Sequence, residues 1–236
     1  MKKKIAIMAS VLLLVLVVCV PASFAYSIAV GDWIKYENGP GDLAGEMEVW
    51  KYTGGYNYTY MFDTFCLEKY ETMNFGTPYY VADISGNTIQ GGIDGDGGAT
   101  PGYDPLSPQT AYLYYNFYMG TLAGYDTSTY TANRHSANAL QAAIWLLENE
   151  ISSFSGLGLT TAEIALANTF VTAANASGWT DIGTVRVINI VSIGYDGRVT
   201  NRQSSLIAEV AVPEPLTVSL LGLGILGLGI MRKKMR

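Results

Sequence analysis

Both ends of this sequence are apolar runs beside basic clusters, which confines any globular fold to the stretch between them. Met1-Lys2-Lys3-Lys4 precedes an apolar run from Ile5 to Val20 and a small-x-small site at Ser23-Phe24-Ala25, the pattern of a secretory signal. Residues 1–25 are therefore expected to be a signal peptide, with the mature chain starting at Tyr26. Cys19 sits in the apolar run behind Val18, not behind the small residue of a lipid-anchored cysteine, and is expected to leave with the signal. That leaves Cys66 as the sole cysteine of the mature chain and excludes an intramolecular disulfide. A single thiol in an oxidising compartment needs an explanation: either it is buried and inert, or its sulfur is consumed in another bond.

At the other end, Pro213, Glu214 and Pro215 interrupt the last strand-like run, since proline removes ladder donors. The uncharged run Leu216 to Met231 makes a helix of about 24 Å, a little short of the ~30 Å hydrocarbon core. It spans if the basic cluster Arg232 to Arg236 snorkels, with those charges on the cytoplasmic side and the body facing outward. The order of Val-Pro-Glu-Pro, a Gly- and Leu-rich span and a basic terminus resembles the PEP-CTERM sorting signal over residues 213–236. The resemblance implies an exported envelope, cell-surface or matrix protein of a Gram-negative, biofilm-forming bacterium, processed near Pro213, Glu214 and Pro215 by an exosortase.

The body, 26–212, holds 19 of the 20 acidic residues but only seven of the 14 Lys and Arg. Such an acidic surface argues against nucleic acid or anionic headgroups as partners. Within it, Met47–Thr53 and Tyr56–Phe62 flank Gly54-Gly55 as a hairpin, placing Cys66 at or just past a strand end. Residues 76–108 are rich in Gly, Asp, Pro and Thr and read as a solvated loop. In it Asp94 and Asp96 form a weak Ca²⁺ candidate, because position twelve of an EF-hand loop counted from Asp94 is Pro105. Pro108–Tyr118 suits either strand or helix. Ser136–Ile151 has helical spacing with Ser136 as N-cap, which puts Gln141 near the helix N-terminus at the rim of the buried face, on one stripe with Trp145 and Glu148. Thr160-Thr161-Ala162-Glu163 fits a capping box ahead of a second helix, and Val185–Ile193 reads as a buried strand to which Leu206–Val212 pairs back across an Asp196-Gly197 turn. Strands, acidic loop, two helices and strands again make an α+β fold: a β-sandwich or barrel-like sheet core with a helical insertion.

With one His and one Cys in the mature chain, a zinc site of the usual composition is excluded by counting. No nucleophile elbow accompanies His135, and no phosphate loop or dinucleotide fingerprint is present, so no cofactor is expected and turnover catalysis is a poor fit. Cys66 and Gln141 remain. Attack of the Cys66 thiolate on the Gln141 side-chain carbonyl with loss of ammonia gives a thioester, provided the two groups are held together, donors face the oxyanion and water is excluded. Phe65, Trp145 and Tyr80 are the candidates for excluding water, and the helix N-terminus for supplying donors.

Phe65-Cys66 at a strand end, followed by Leu140-Gln141-Ala142-Ala143-Ile144-Trp145 on a helix, resembles the thioester domains of bacterial surface adhesins, whose matching Cys and Gln are crosslinked. The resemblance spans roughly Trp33 to Val210 in organisation and rests on these two motifs. It implies single-turnover covalent attachment to a nucleophile on a surface partner, often a lysine amine; for a matrix protein a matrix amine or a sugar hydroxyl is an equal acceptor, and His135, six residues before Gln141, is a candidate for a base. A non-covalent structural or polysaccharide-binding matrix protein is the alternative.

Overall fold

The computed structural model describes residues 27–43, 45–89 and 104–208, with the backbone of 24–25 and 210–211. Residues 1–23 of the expected signal, the Asp94 and Asp96 loop and the sorting tail, with Pro213, Glu214 and Pro215, lie outside the described residues. Two compact units result. In one, the described part is an antiparallel pair of short strands, β1 (Phe24–Ala25) with β11 (Val210–Ala211). The other, Tyr26–Glu209, carries everything below.

Its strands are β2 (Trp33–Asn38), β3 (Met47–Gly54), β4 (Asn57–Thr64), β5 (Tyr79–Ser85), β6 (Asn87–Thr88), β7 (Asp104–Pro105), β8 (Val185–Ile193), β9 (Val199–Asn201) and β10 (Ser205–Ala208). Seven of them form an antiparallel sheet ordered β10-β8-β5-β2-β3-β4, with β9 added on β8; it does not close into a barrel. The fold is α+β, as the sequence indicates, with an open sheet.

Alternation explains which strands sit where. Ile34 and Tyr36 of β2, Met47 and Val49 of β3 and Phe62 of β4 are buried at every second position, the mark of a sheet with one covered face. Val185, Val187, Ile188, Ile190 and Val191 of β8 are buried on both faces, so β8 is interior. The β3–β4 hairpin turns on Gly55 and Tyr56, one residue later than the pattern predicts, because both turn residues take positive φ (58° and 68°) while Gly54 still pairs with Asn57. β5 is a departure from expectation: within a stretch that reads as loop by composition, Tyr79 and Val81 are buried and join β2 to β8.

Among the described residues there are three helices: α1 (Pro108–Tyr118), α2 (Tyr130–Leu147) and α3 (Thr161–Ala176). Pro108 opens α1 behind the N-cap Ser107, which resolves the strand-or-helix ambiguity in favour of helix. Thr160 and Glu163 form the predicted capping box of α3. α2 corrects the expectation: its N-cap is Thr129 and it begins at Tyr130, so Ser136 lies inside the helix and does not cap it. The extra turns carry Tyr130, Arg134 and His135, which lack apolar periodicity; Arg134 there pairs with Asp42 of the preceding chain.

Two apolar clusters fill the unit. One joins the helices to Val185, Val187, Leu206 and Ala208; the other joins Ile34, Tyr36, Val49 and Phe62 to Ile188 and Ile207. The segment after β4 alternates between them: Phe65 and Leu67 belong to the first, Cys66 to the second. On α2, Leu140 and Ile144 belong to the first and Trp145 to the second. Cys66 and Gln141 therefore lie on the seam between the two cores.

Candidate functional site

The segment 64–67 is fastened to β10 before it meets α2. Thr64 Oγ1 donates to the Leu206 carbonyl at 2.6 Å and accepts from its N–H at 3.0 Å. Cys66 forms an antiparallel bridge with Ser205, and Leu67 N–H donates to the Ser204 carbonyl at 3.1 Å. This fixes which face each side chain takes, because a slip of one residue would exchange Cys66 with Phe65.

Gln141, fully buried, completes the arrangement from the helix side. The Cys66 N–H donates to Gln141 Oε1 at 3.0 Å, and Gln141 Nε2 donates to the Cys66 carbonyl at 2.8 Å. The carboxamide is thus paired at two points with the main chain of the residue whose sulfur would attack it. Each such bond contributes about 1 kcal/mol net, whereas a buried Phe65 contributes about 1.5–3 kcal/mol, so packing holds the seam closed and the hydrogen bonds set its register. The Cys66 N–H also faces the oxygen that would gain charge during attack on the carbonyl carbon, as an oxyanion donor must.

The donor is Cys66 itself, not the helix N-terminus. Gln141 lies in the fourth turn of α2, where backbone N–H groups are spent on the helix ladder, and it is wholly buried instead of at the rim. The longer helix is the physical cause of the first correction, and the cover of the carboxamide by Cys66, Phe65 and Gly45 is the cause of the second.

Around the sulfur, Cys66 Sγ is 3.7 Å from Met47 Sδ. Burial, and then the nearby Glu68, push the thiol well above its usual range, so at neutral pH it holds its proton. Ser205, the bridge partner of Cys66, shares a 2.8 Å hydrogen bond with the Tyr36 hydroxyl, and Tyr36 lies close enough to Cys66 for its own ionisation to be further disfavoured by that sulfur. Burial is the larger cause for Tyr36. Register across non-adjacent strands brings Tyr36 and Ser205 to the site, and no sequence pattern announces it.

The far side of the carboxamide is covered by the loop 39–46. A Cβ on Gly45 would stand 2.2 Å from Gln141 Oε1 and 2.7 Å from Phe65 Cδ1, so only glycine permits this approach. Gly39 and Gly41 pack as closely within the loop, against the Glu46 and Gly45 carbonyls. Asn138, one turn before Gln141, anchors the loop: its Oδ1 accepts from Asp42 N–H at 2.7 Å and its Nδ2 donates to Glu163 on α3 at 2.8 Å. Arg134 adds an ion pair to Asp42 at 2.9 Å. The run of three glycines in seven residues was the available signal for this close packing.

Of the other expected site residues, Phe65 stands against Gly45 and stacks edge-on with Phe117 at 4.9 Å. Trp145 is buried in the cluster that holds Cys66, one turn beyond Gln141, and its Nε1–H has no hydrogen-bond partner among the described residues. His135 is not brought to the pair. It lies six residues back, about 9 Å along the axis, and acts on Glu163, favouring that carboxyl's charged form. Tyr80 is also elsewhere, packed edge-on against Trp33 at 5.6 Å. Among the described residues no group of three metal-ligating side chains is assembled, and no helix is long and apolar enough to cross a membrane.

No family model matches the chain, and no curated protein matches it. Among solved structures, the N-terminal thioester domain of fibronectin-binding protein SfbI from Streptococcus pyogenes is similar at a TM-score of 0.44 and 17% identity, covering 82% of this chain and 100% of that one. A likeness of that extent carries no weight for function, which rests on the side-chain geometry above.

Proposed function

We propose that the protein is an exported surface or matrix protein that attaches covalently to its partner through an internal thioester between Cys66 and Gln141. The observation that carries this reading is the two-point pairing of the buried Gln141 carboxamide with the Cys66 main chain. In forming the bond, Cys66 Sγ attacks Gln141 Cδ, the C–N bond breaks, and the thiol proton leaves with the nitrogen as ammonia. Burial at the seam keeps water from the product. A nucleophile on the partner then displaces the sulfur, leaving an acyl bond to Gln141 and a Cys66 thiol. This is a single-turnover reaction.

Export through the signal at 1–25, exosortase processing near Pro213–Pro215 and membrane attachment through the tail complete the proposal. They derive from the sequence patterns at the two ends. The alternative is a non-covalent matrix protein in which the same two hydrogen bonds serve packing alone.

Intact mass separates them. The purified protein is expected to weigh one ammonia less than its sequence, and Cys66→Ala to restore the full mass. Full mass in the wild type, with Cys66 alkylated after unfolding, rules out the thioester.

A further inference from the structure

Ile34, Tyr36, Met47 and Val49 fill the covered face of β2 and β3. The residues turned the other way face solvent and are ordinarily polar. Here they are Trp33 on β2, Trp50 and Tyr52 on β3, Tyr58 and Tyr60 on β4 and Tyr80 on β5. Trp33, Tyr52 and Tyr60 are 38%, 41% and 45% exposed.

Register sets these rings in order. Tyr52 stands opposite Tyr58, Trp50 opposite Tyr60 and Trp33 opposite Tyr80, with ring centroids 5.5, 5.8 and 5.6 Å apart. Trp33, Tyr52 and Tyr58 also share with Pro78 the wall of a recess of about 190 Å³. The row Tyr58, Tyr52, Trp33 and Tyr80 therefore crosses the neighbouring strands β4, β3, β2 and β5, a span of about 14 Å at the usual strand spacing. Cross-strand aromatic pairs stabilise a sheet by themselves. That accounts for each pair, but not for a recess left between pairs or for rings so exposed to water.

The charges on this face decide what fits it. Lys35 Nζ lies over the Tyr58 ring at 4.9 Å and the Trp50 ring at 5.7 Å, the position an incoming cation would take, and Glu37 matches its charge at 2.5 Å. Glu48 accepts from the Trp50 Nε1–H at 2.9 Å. A cationic ligand meets ring faces already occupied, and an anionic one meets a body with 19 acidic residues against seven basic. An uncharged ligand meets neither obstacle. The rings call for C–H faces to pack on, and the tyrosine O–H groups for hydroxyl partners. A pyranose sugar has both, with axial C–H bonds on its faces and hydroxyls around its rim.

We propose that this face binds a neutral, β-linked polysaccharide, with one sugar ring in the recess between Trp33, Tyr52 and Tyr58 and the chain running along the row. β-Linkage keeps successive sugars in an extended line that a straight row of rings can follow, whereas a helical α-linked chain turns away from it. No covalent step is involved. The site stands apart from the thioester, and the ammonia deficit is the same whether or not a sugar binds.

The test mixes the purified protein with insoluble cellulose, β-mannan, cross-linked dextran or polygalacturonate and measures its depletion from solution. Wild type is expected to be retained by cellulose or β-mannan, with retention unchanged by added salt, and to stay in solution with α-linked dextran and anionic polygalacturonate. Trp33→Ala and Tyr52→Ala are each expected to weaken retention about tenfold, the scale of losing one ring from a stacking platform, with the wild-type circular dichroism spectrum kept. A wild type retained by neither β-linked polymer, or folded variants retained as strongly as wild type, overturns the proposal. So does equal retention by dextran or polygalacturonate. Dimerisation of wild type that Trp33→Ala abolishes, without retention on either β-linked polymer, assigns the face to a second copy and overturns it too. If a variant fails to fold, the wild type decides: a soluble oligosaccharide of the retaining polymer is expected to protect Trp33 from N-bromosuccinimide, read by peptide mass, and an unprotected Trp33 overturns the proposal.

Discussion

Gly45 shows how narrowly the site depends on one side chain. The nearest atoms to its missing Cβ are the carbonyl oxygen and carbon of Gln141 and the ring of Phe65, none of which can retreat without opening the seam. Gly45→Ala is expected to lower stability by about 1–3 kcal/mol, the usual cost of overpacking, and to abolish the ammonia deficit, since the carboxamide would be pushed from the Cys66 main chain. Denaturant unfolding and intact mass measure the two effects separately, and an alanine variant unchanged in both would show that the close approach is not required. At this scale the sequence offered Cys66, Gln141, Phe65 and Trp145 as candidates, and the structure puts Phe65 and Cys66 in the segment that meets Gln141 and Trp145 in the cluster that holds Cys66. It was not readable for Gly45, Tyr36 or Ser205, whose roles come from neighbours distant along the chain.

At the level of elements, α2 connects the loop over the site to the rest of the helical layer. Asn138 holds Asp42 of the loop with one end of its amide and Glu163 of α3 with the other. Removing it takes the acceptor from the Asp42 N–H, leaves a gap at a buried position and weakens the support of Glu163, which keeps its bonds to Thr160. Asn138→Ala is expected to cost about 1–3 kcal/mol and to speed loss of the thioester to water, read as faster appearance of a titratable Cys66 thiol. An unaltered rate of thiol release would mean that the loop does not guard the bond. The start of α2 was misjudged because its first turns are polar and take their order from such contacts, whereas the later turns announce themselves by apolar spacing. β5 was missed for a related reason: its Gly- and Asp-rich flanks outweigh its apolar residues until β2 and β8 pair with it on either side.

Over the whole molecule, burial of carboxyls ties stability to pH. Desolvation raises Glu46 and Glu148 to about 7 and Glu68 to about 10, against an ordinary 4.5. The folded protein then keeps protons that the unfolded chain releases above 4.5. The resulting stabilisation is complete below 4.5 and disappears as pH rises through 7 for Glu46 and Glu148 and toward 10 for Glu68. Glu163 runs the other way: its burial is outweighed by bonds from Thr160 and Asn138, which favour the charged form, and that contribution is lost in acid. The raised groups are the more numerous, so the denaturant midpoint is expected to be lower at about pH 8 than at about pH 5 with an unchanged slope. A midpoint that rises over this interval would contradict the assignment.

The sequence by itself determined the α+β class, the β3–β4 hairpin, the capped start of α3, the doubly buried β8 and the two residue types able to form a thioester. Each of these follows from local periodicity, turn chemistry or counting. Only the tertiary structure decided that Cys66 and Gln141 face each other, because their meeting depends on the pairing of β4's end with β10 and on the packing of α2 against that segment. It also decided that the donor at Gln141 Oε1 is the Cys66 N–H, and that a row of aromatic rings crosses the solvent face of the sheet. Contacts across 75 residues of chain are fixed by sheet register and helix packing, and neither is written in any short stretch of sequence.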